Sequence, residues 1–205
     1  MHSNGRKYHK VLTVCFALML LLGCVTFNKA LEESRLNVSQ GQTVYNRVGL
    51  RTYGENIIYY TNRYFGGTYI PAGSECAIQT ISKESIEFTF NGEKYVLVNW
   101  IGDVSAENVK TCFEKFFSED KSEIGLDKVN PDFREEVQEG FVKEGMTKEE
   151  VLLSLGYPAY LGVKDPTYDD NREFILAHND WYYFKGRKTK ILIRFRGEEL
   201  HEILD

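Results

Sequence analysis

Gly145-Met146-Thr147-Lys148-Glu149-Glu150-Val151-Leu152-Leu153-Ser154-Leu155-Gly156-Tyr157-Pro158 carries the signals of a complete short helix. Thr147 offers a capping hydroxyl, and Glu150 three residues later offers a carboxylate that can reach back, the two halves of a capping box. Val151, Leu152 and Leu155 share one face at helical spacing. Gly156 follows as a C-terminal cap, and Pro158 bars the helix from resuming. A helix this short does not stand alone in water. Its apolar face must be covered by what flanks it.

Upstream, Pro131 opens a helix expected over residues 132–142, with Phe133, Val137, Phe141 and Val142 on its buried face. Lys143-Glu144-Gly145 then turns the chain into the Thr147 helix, forming an αα-hairpin. Downstream, residues 159–180 make a long connection containing Asp165-Pro166 and Asp169-Asp170-Asn171. Its carboxylates lack the order of an EF-hand calcium loop, and a connection of that length is functional or mobile. Asp180-Trp181-Tyr182-Tyr183-Phe184 reads as a strand, Lys185-Gly186-Arg187 as a turn, and residues 189–196 as the next strand. There Ile191, Ile193 and Phe195 alternate with Leu192, Arg194 and Arg196, so one face is apolar and the other mixed. Gly197-Glu198 turns again, and residues 200–204 supply a last short strand. Two helices on one face of such a meander bury both apolar surfaces. Residues 131–205 are therefore expected as an ααβββ two-layer unit.

The preceding part is read as a β-rich domain over residues 43–118, joined by a polar, acidic linker at 119–130. Short strands are expected at residues 43–52, 56–61, 75–81, 85–90 and 94–99. Asn91-Gly92 is a strong hairpin signal between the last two, and Pro71-Ala72-Gly73 marks another turn. Ser105 can cap a helix over residues 106–117, with Val109, Phe113, Phe116 and Phe117 as its apolar stripe. The class is α+β. Aromatic residues crowd the second strand and its loop: Tyr59, Tyr60, Tyr64, Phe65 and Tyr69, with Arg63 among them. They form a stacking platform for peptide or glycan, or they are core and barrel cover. Both readings stand.

Arg6, Lys7 and Lys10 precede an uncharged run from Val11 to Leu22, the layout of a signal peptide. The run is too short for a spanning helix, which needs about 20 residues. It ends in Leu21-Leu22-Gly23-Cys24, which resembles a bacterial lipobox, where cleavage leaves a cysteine that is lipidated. The plainer reading is a secretory signal whose cysteine is incidental. On the lipobox reading, residues 1–23 are removed, Cys24 carries lipid such as palmitate, and residues 24–42 are a flexible tether. Loss of residues 1–23 removes three bases and no acid, moving the formal charge from −5 to −8. That balance argues against a nucleic-acid partner and holds the body off an anionic membrane surface. Val25 stands where inner-membrane lipoproteins of enteric bacteria often carry Asp, so the resemblance implies outer-membrane sorting if the host is Gram-negative. Cys76 and Cys112 remain, as a disulfide or as two separate buried thiols; they show no metal spacing.

Gly145-Met146-Thr147, Val151, Leu155-Gly156-Tyr157-Pro158, Trp181-Tyr182-Tyr183 and Phe195 with Gly197 together resemble the BamE (SmpA/OmlA) family of outer-membrane lipoproteins. The resemblance implies the ααβββ fold and a role beside the machinery that inserts β-barrel proteins. This chain departs from the pattern by carrying a whole β-rich domain first. Tyr69-Ile70-Pro71-Ala72-Gly73-Ser74, followed by two hairpinned strands, resembles bacterial SH3-like barrels.

His178 and His201 sit in no metal-spaced cluster, and the serines lack a nucleophile-elbow context. Gly66-Gly67 lacks the helix and lysine of a phosphate loop. No cofactor and no catalysis are expected. The candidate binding surface is the exposed side of the last sheet, at Tyr182, Leu192, Arg194 and Arg196, where Tyr and Arg suit a protein interface. The expected function is a non-catalytic scaffold in the bacterial envelope, anchored by lipid in the outer membrane facing the periplasm, with envelope proteins such as the barrel-assembly machinery as partners. A cell-wall-binding lipoprotein and a periplasmic inhibitor of a hydrolase are the alternatives.

Overall fold

The computed structural model describes residues 36–59, 64, 66–82, 84–98, 106–162, 171–185 and 189–205. The leader with Cys24, Tyr60, Arg63, Phe65, Ser105, Asp165-Pro166, Asp169-Asp170 and the Gly186-Arg187 turn lie outside the described residues. What is described is α+β, with mostly strands and few helices.

The first half is built on a meander. Strands β5 (Glu75–Ile81), β6 (Ser85–Phe90) and β7 (Glu93–Val98) pair antiparallel, and the Asn91-Gly92 turn has both φ angles positive, at 51° and 82°. That is the twist a two-residue hairpin needs. Cys76, Ile78, Ile86, Phe88, Tyr95 and Leu97 all turn inward, as period-two alternation requires. Strand β1 (Thr43–Asn46) adds beside β5, and β3 (Ile57–Tyr59) runs parallel to β7 at the far edge. The strand expected over residues 43–52 breaks at Asn46. Its buried amide donates to the carbonyls of Val48 and Pro71, each at 2.8 Å, and this local bonding bends the chain away from the ladder. The chain then forms β2 (Leu50–Arg51), which pairs with an unforeseen β4 (Tyr69–Ile70).

Helix α1 (Ala106–Phe116) buries Val109, Cys112, Phe113 and Phe116, and the chain passes directly into β8 (Phe117–Ser118) at the other edge of the sheet. The expected linker is not a free segment. Two 3-10 turns, Lys121–Ile124 and Leu126–Lys128, fold onto the body, with Ile124 and Val129 buried. At the other end, part of the expected tether is also bound. Val38 is only 4% exposed, and Gly41 and Gln42 exchange backbone hydrogen bonds with Ile78.

In the second half a 3-10 turn at Pro131–Phe133 leads into α2 (Arg134–Glu139). This helix stops earlier than residues 132–142 implied. Gly140 adopts φ 74°, a left-handed conformation that closes the helix, and Phe141 beyond it is 50% exposed rather than core. Helix α3 (Lys148–Leu155) has the full capping box at Thr147 and Glu150. A short α4 (Arg172–Leu176), capped by Asn171, was not expected in the long connection. Strands β9 (Asp180–Phe184), β10 (Lys190–Arg196) and β11 (Glu199–Leu204) form a separate antiparallel sheet in the order β11-β10-β9.

α3 is buried on nearly every side, not along one stripe: Leu153 and Ser154 are covered as fully as Val151 and Leu155. On one side Tyr183 donates its hydroxyl to the Gly156 carbonyl at 2.8 Å, and Trp181, Ile193 and Phe195 complete the inner face of the three-stranded sheet. On the other side stands the first half of the chain. The Gly49 amide donates to Leu153 at 2.9 Å, Tyr69 reaches the Val137 and Ser154 carbonyls, and the Phe116 and Tyr157 rings meet edge to face at 5.3 Å. One continuous hydrophobic core runs through both halves.

Candidate binding surface on the outer face of the three-stranded sheet

Strand pairing sets which side chains stand together on the solvent side of β9–β11. Leu192 lies directly opposite Tyr182 on one side and Leu204 on the other, and Tyr160 bridges to Tyr182. Side chains opposite one another share a face. The result is a four-residue row across the sheet: Tyr160, Tyr182, Leu192, Leu204. The Tyr160 and Tyr182 rings lie 5.3 Å apart. Leu192 at the centre is shielded by its neighbours to 9% exposure, while Leu204 at the end is 41% exposed.

Charged rows flank this one. On one side Lys190 pairs with Phe184, and its ammonium stands 4.6 Å from the Tyr160 ring centre and 5.6 Å from that of Phe184, within cation–π range. On the other side Arg194 sits between Asp180, at 2.9 Å, and Glu202, at 3.2 Å. The hydrogen bond and charge of Asp180 raise the guanidinium further above its already high value. Where β11 bulges at His201, that residue's ring nitrogen meets Arg196 at 3.0 Å.

β9 is kept from pairing further by its own chain. Ala159 donates to the Tyr182 carbonyl at 2.7 Å, Tyr182 donates to Tyr160 at 2.8 Å, and Tyr64 donates to Phe184 at 2.9 Å. β11 is the sheet's other edge; its start is held by Gly145 and Met146 through Leu200.

Tyr182, Leu192, Arg194 and Arg196 thus share one face, but with different roles. Tyr182 and Leu192 form the apolar row, whereas Arg194 is held in two ion pairs. Of the aromatic cluster in the first half, the described members Tyr59, Tyr64 and Tyr69 stand on separate elements. Tyr59 is half-buried on β3 with its ring 5.6 Å from Tyr53. Tyr64 lies against the edge of β9, and burial followed by the Asp205 carboxylate raises its phenol above the usual range. Tyr69 is internal; burial pushes its phenol up despite Arg51, whose guanidinium stands 4.6 Å over the ring. Cys76 and Cys112 are two free, buried thiols rather than a disulfide. Among the described residues, no group of three or more His, Cys, Asp or Glu side chains could hold a metal.

Tyr160, Phe184, Lys190 and Leu204 belong to the surface but were not anticipated. Phe184 and Leu204 follow from extending the alternation of Tyr182 and Leu192 along and across the strands. Tyr160 does not, because its bridge to β9 depends on how the chain returns after Pro158. The chain matches no family model, no curated protein and no solved structure.

Proposed function

We propose that this chain is a non-catalytic protein-binding module of the bacterial envelope, docking its partner on the outer face of β9–β11. The observation that carries the reading is the Tyr160–Tyr182–Leu192–Leu204 row. A strip with a partly shielded apolar centre and a charged rim has the layout of a protein interface, and its two tyrosines are of the residue type that anchors one. Lys190, Asp180, Arg194 and Glu202 supply the rim, which sets orientation more than affinity.

The anchor belongs to the same proposal. The apolar run ending in Gly23-Cys24 supports removal of residues 1–23 and lipidation of Cys24, with the body carried in the periplasm below the outer membrane. The order of α2, α3 and the β9–β11 meander supports kinship with the BamE-type ααβββ module, with α4 and the β-rich first half as additions. An accessory role in outer-membrane protein assembly is the narrower form of the proposal. A cell-wall-binding role would draw on Tyr59, Tyr64 and Tyr69, which stand apart.

Two measurements test this. Radioactive palmitate should label the wild-type chain and fail to label Cys24→Ala; equal labelling, or none in either, contradicts the anchor. Capture from crosslinked envelopes should recover barrel-assembly subunits. Retention on purified sacculi, or recovery of a single hydrolase, would replace the reading with one of its rivals.

A further inference from the structure

A cleft of about 620 Å3 opens where the two halves meet. α1 and the 3-10 turns after it form one wall, and the first turns of α3 with the start of α4 form the other. None of its lining residues belongs to β9–β11, so it is separate from the proposed docking face. Its volume is in the range of small-molecule sites, about 300–1,000 Å3.

The charges in the lining balance in number but not in availability. Its acids are Glu114, Glu123, Glu149 and Glu150, and its bases Arg47, Lys115, Lys128 and Arg172. Every acid is engaged. Glu150 accepts the backbone N–H groups of Asn130 and Thr147, each at 2.8 Å, and the Thr147 hydroxyl at 3.0 Å. Glu123 accepts from Ser118 at 2.8 Å and from Arg47 at 2.6 Å. Glu149 receives Arg172 through a two-pronged contact, and Glu114 lies 3.7 Å from Lys110. The bases are less fully occupied. The Lys128 ammonium has no hydrogen bond or ion pair among the described residues. Arg47 uses Nε on the Phe117 carbonyl at 2.9 Å and Nη2 on Glu123, which leaves Nη1 without a partner among the described residues. Between the charged groups the floor is apolar, made by the edges of the nearly buried Ile124, Val129, Leu153 and Tyr157 side chains.

We infer that the cleft binds a small organic anion, a carboxylate or phosphate monoester carried on an apolar body. The oxyanion meets Lys128 and the open edge of Arg47, and the body lies against Leu153, Ile124 and Tyr157. Glu114, Glu123 and Glu149 are each paired with a base, and Glu150, the one lining carboxylate without a basic partner among the described residues, is turned onto the Asn130 and Thr147 donors. The negative charge of the whole chain acts over longer distances and is screened beyond about 8 Å at physiological salt.

The probes are 2-naphthoate, 2-naphthyl phosphate and the neutral 2-naphthol, titrated into the full-length chain. Binding is read by calorimetry and by the side-chain Nε–H resonances of Arg47 and Arg172. At least one anion should bind with Kd below about 1 mM and move the Arg47 resonance, with naphthol at least about tenfold weaker. Whichever anion binds more tightly identifies the headgroup. Lys128→Glu, at an exposed position, should keep the unliganded Tm and weaken the anion by at least about tenfold. The inference is overturned if naphthol binds as well as the anions, if neither anion saturates by about 10 mM, or if Lys128→Glu leaves the affinity unchanged. None of these outcomes bears on the sheet face.

Discussion

Gly49 passes so close to Ser154 that a Cβ at position 49 would lie 2.1 Å from the Ser154 carbonyl oxygen. The contact joins a turn of the first half to the last turn of α3, and the amide of Gly49 donates to Leu153 next door. Gly49→Ala therefore forces the two backbones apart. The expected loss is about 3 kcal/mol, at the upper end for an overpacked core. Because one core runs through both halves, thermal unfolding should remain a single transition at lower Tm. Two separated transitions in the wild type would show that the halves fold independently.

Tyr69 provides the polar half of the same junction. Its hydroxyl stands 2.9 Å from the carbonyls of both Val137 and Ser154 and can donate to one at a time or share its proton. Tyr69→Phe keeps the ring under Arg51 but strands two carbonyls. A cost of about 1–2 kcal/mol follows, read as a lower urea midpoint with an unchanged slope. An unchanged midpoint would mean that water reaches these carbonyls.

Glu150 is 5% exposed and closes the capping box while also holding the Asn130 amide. Glu150→Ala leaves two backbone donors without an acceptor, at about 2 kcal/mol. Glu150→Gln keeps one amide oxygen and should lose less. If both variants unfold with the wild type, the box contributes nothing.

Burial pushes the Cys76 and Cys112 thiols up to about 12 from 9.0, and burial likewise raises the Tyr183 phenol well above its usual value. The folded state holds these protons more tightly than the unfolded one. Stability contributed this way is complete below pH 9 and falls as pH rises towards 12, by up to about 1.4 kcal/mol per pH unit per thiol. Urea midpoints measured at pH 8, 9 and 10 should decline progressively above 9, and native alkylation at pH 8 should be slow. Fast alkylation of the native chain at pH 8 would contradict the burial.

The local signals in the sequence were strong where one residue type decides the geometry. Thr147, Glu150 and Gly156 bounded α3 correctly, and Asn91-Gly92 placed the hairpin. The misses came where distant parts of the chain decide. Gly140 ends α2 early, with Arg51 from β2 donating to the Gly140 carbonyl at 2.6 Å, a partner 89 positions away. β4 is too short to show a period, and its pairing depends on the break at Asn46. The stripe of α3 understated its burial because Leu153 and Ser154 are covered only once Gly49 arrives. The same division holds for the candidate surface: Tyr182 and Leu192 followed from alternation, whereas Tyr160 joins them through a tertiary return. Crowding in sequence did not mean proximity for Tyr59, Tyr64 and Tyr69, which lie on β3, at the edge of β9 and in the interior.

The central claim is that a protein partner docks on the Tyr160–Tyr182–Leu192–Leu204 row. The most direct measurement places a photo-crosslinking amino acid at position 182, and as a control at position 89 on the six-stranded sheet, in cells making the full-length chain. The account predicts one discrete protein adduct from position 182 that disappears when Leu204→Glu is added, and none from position 89. No adduct at 182, or one that persists with Leu204→Glu, would contradict it.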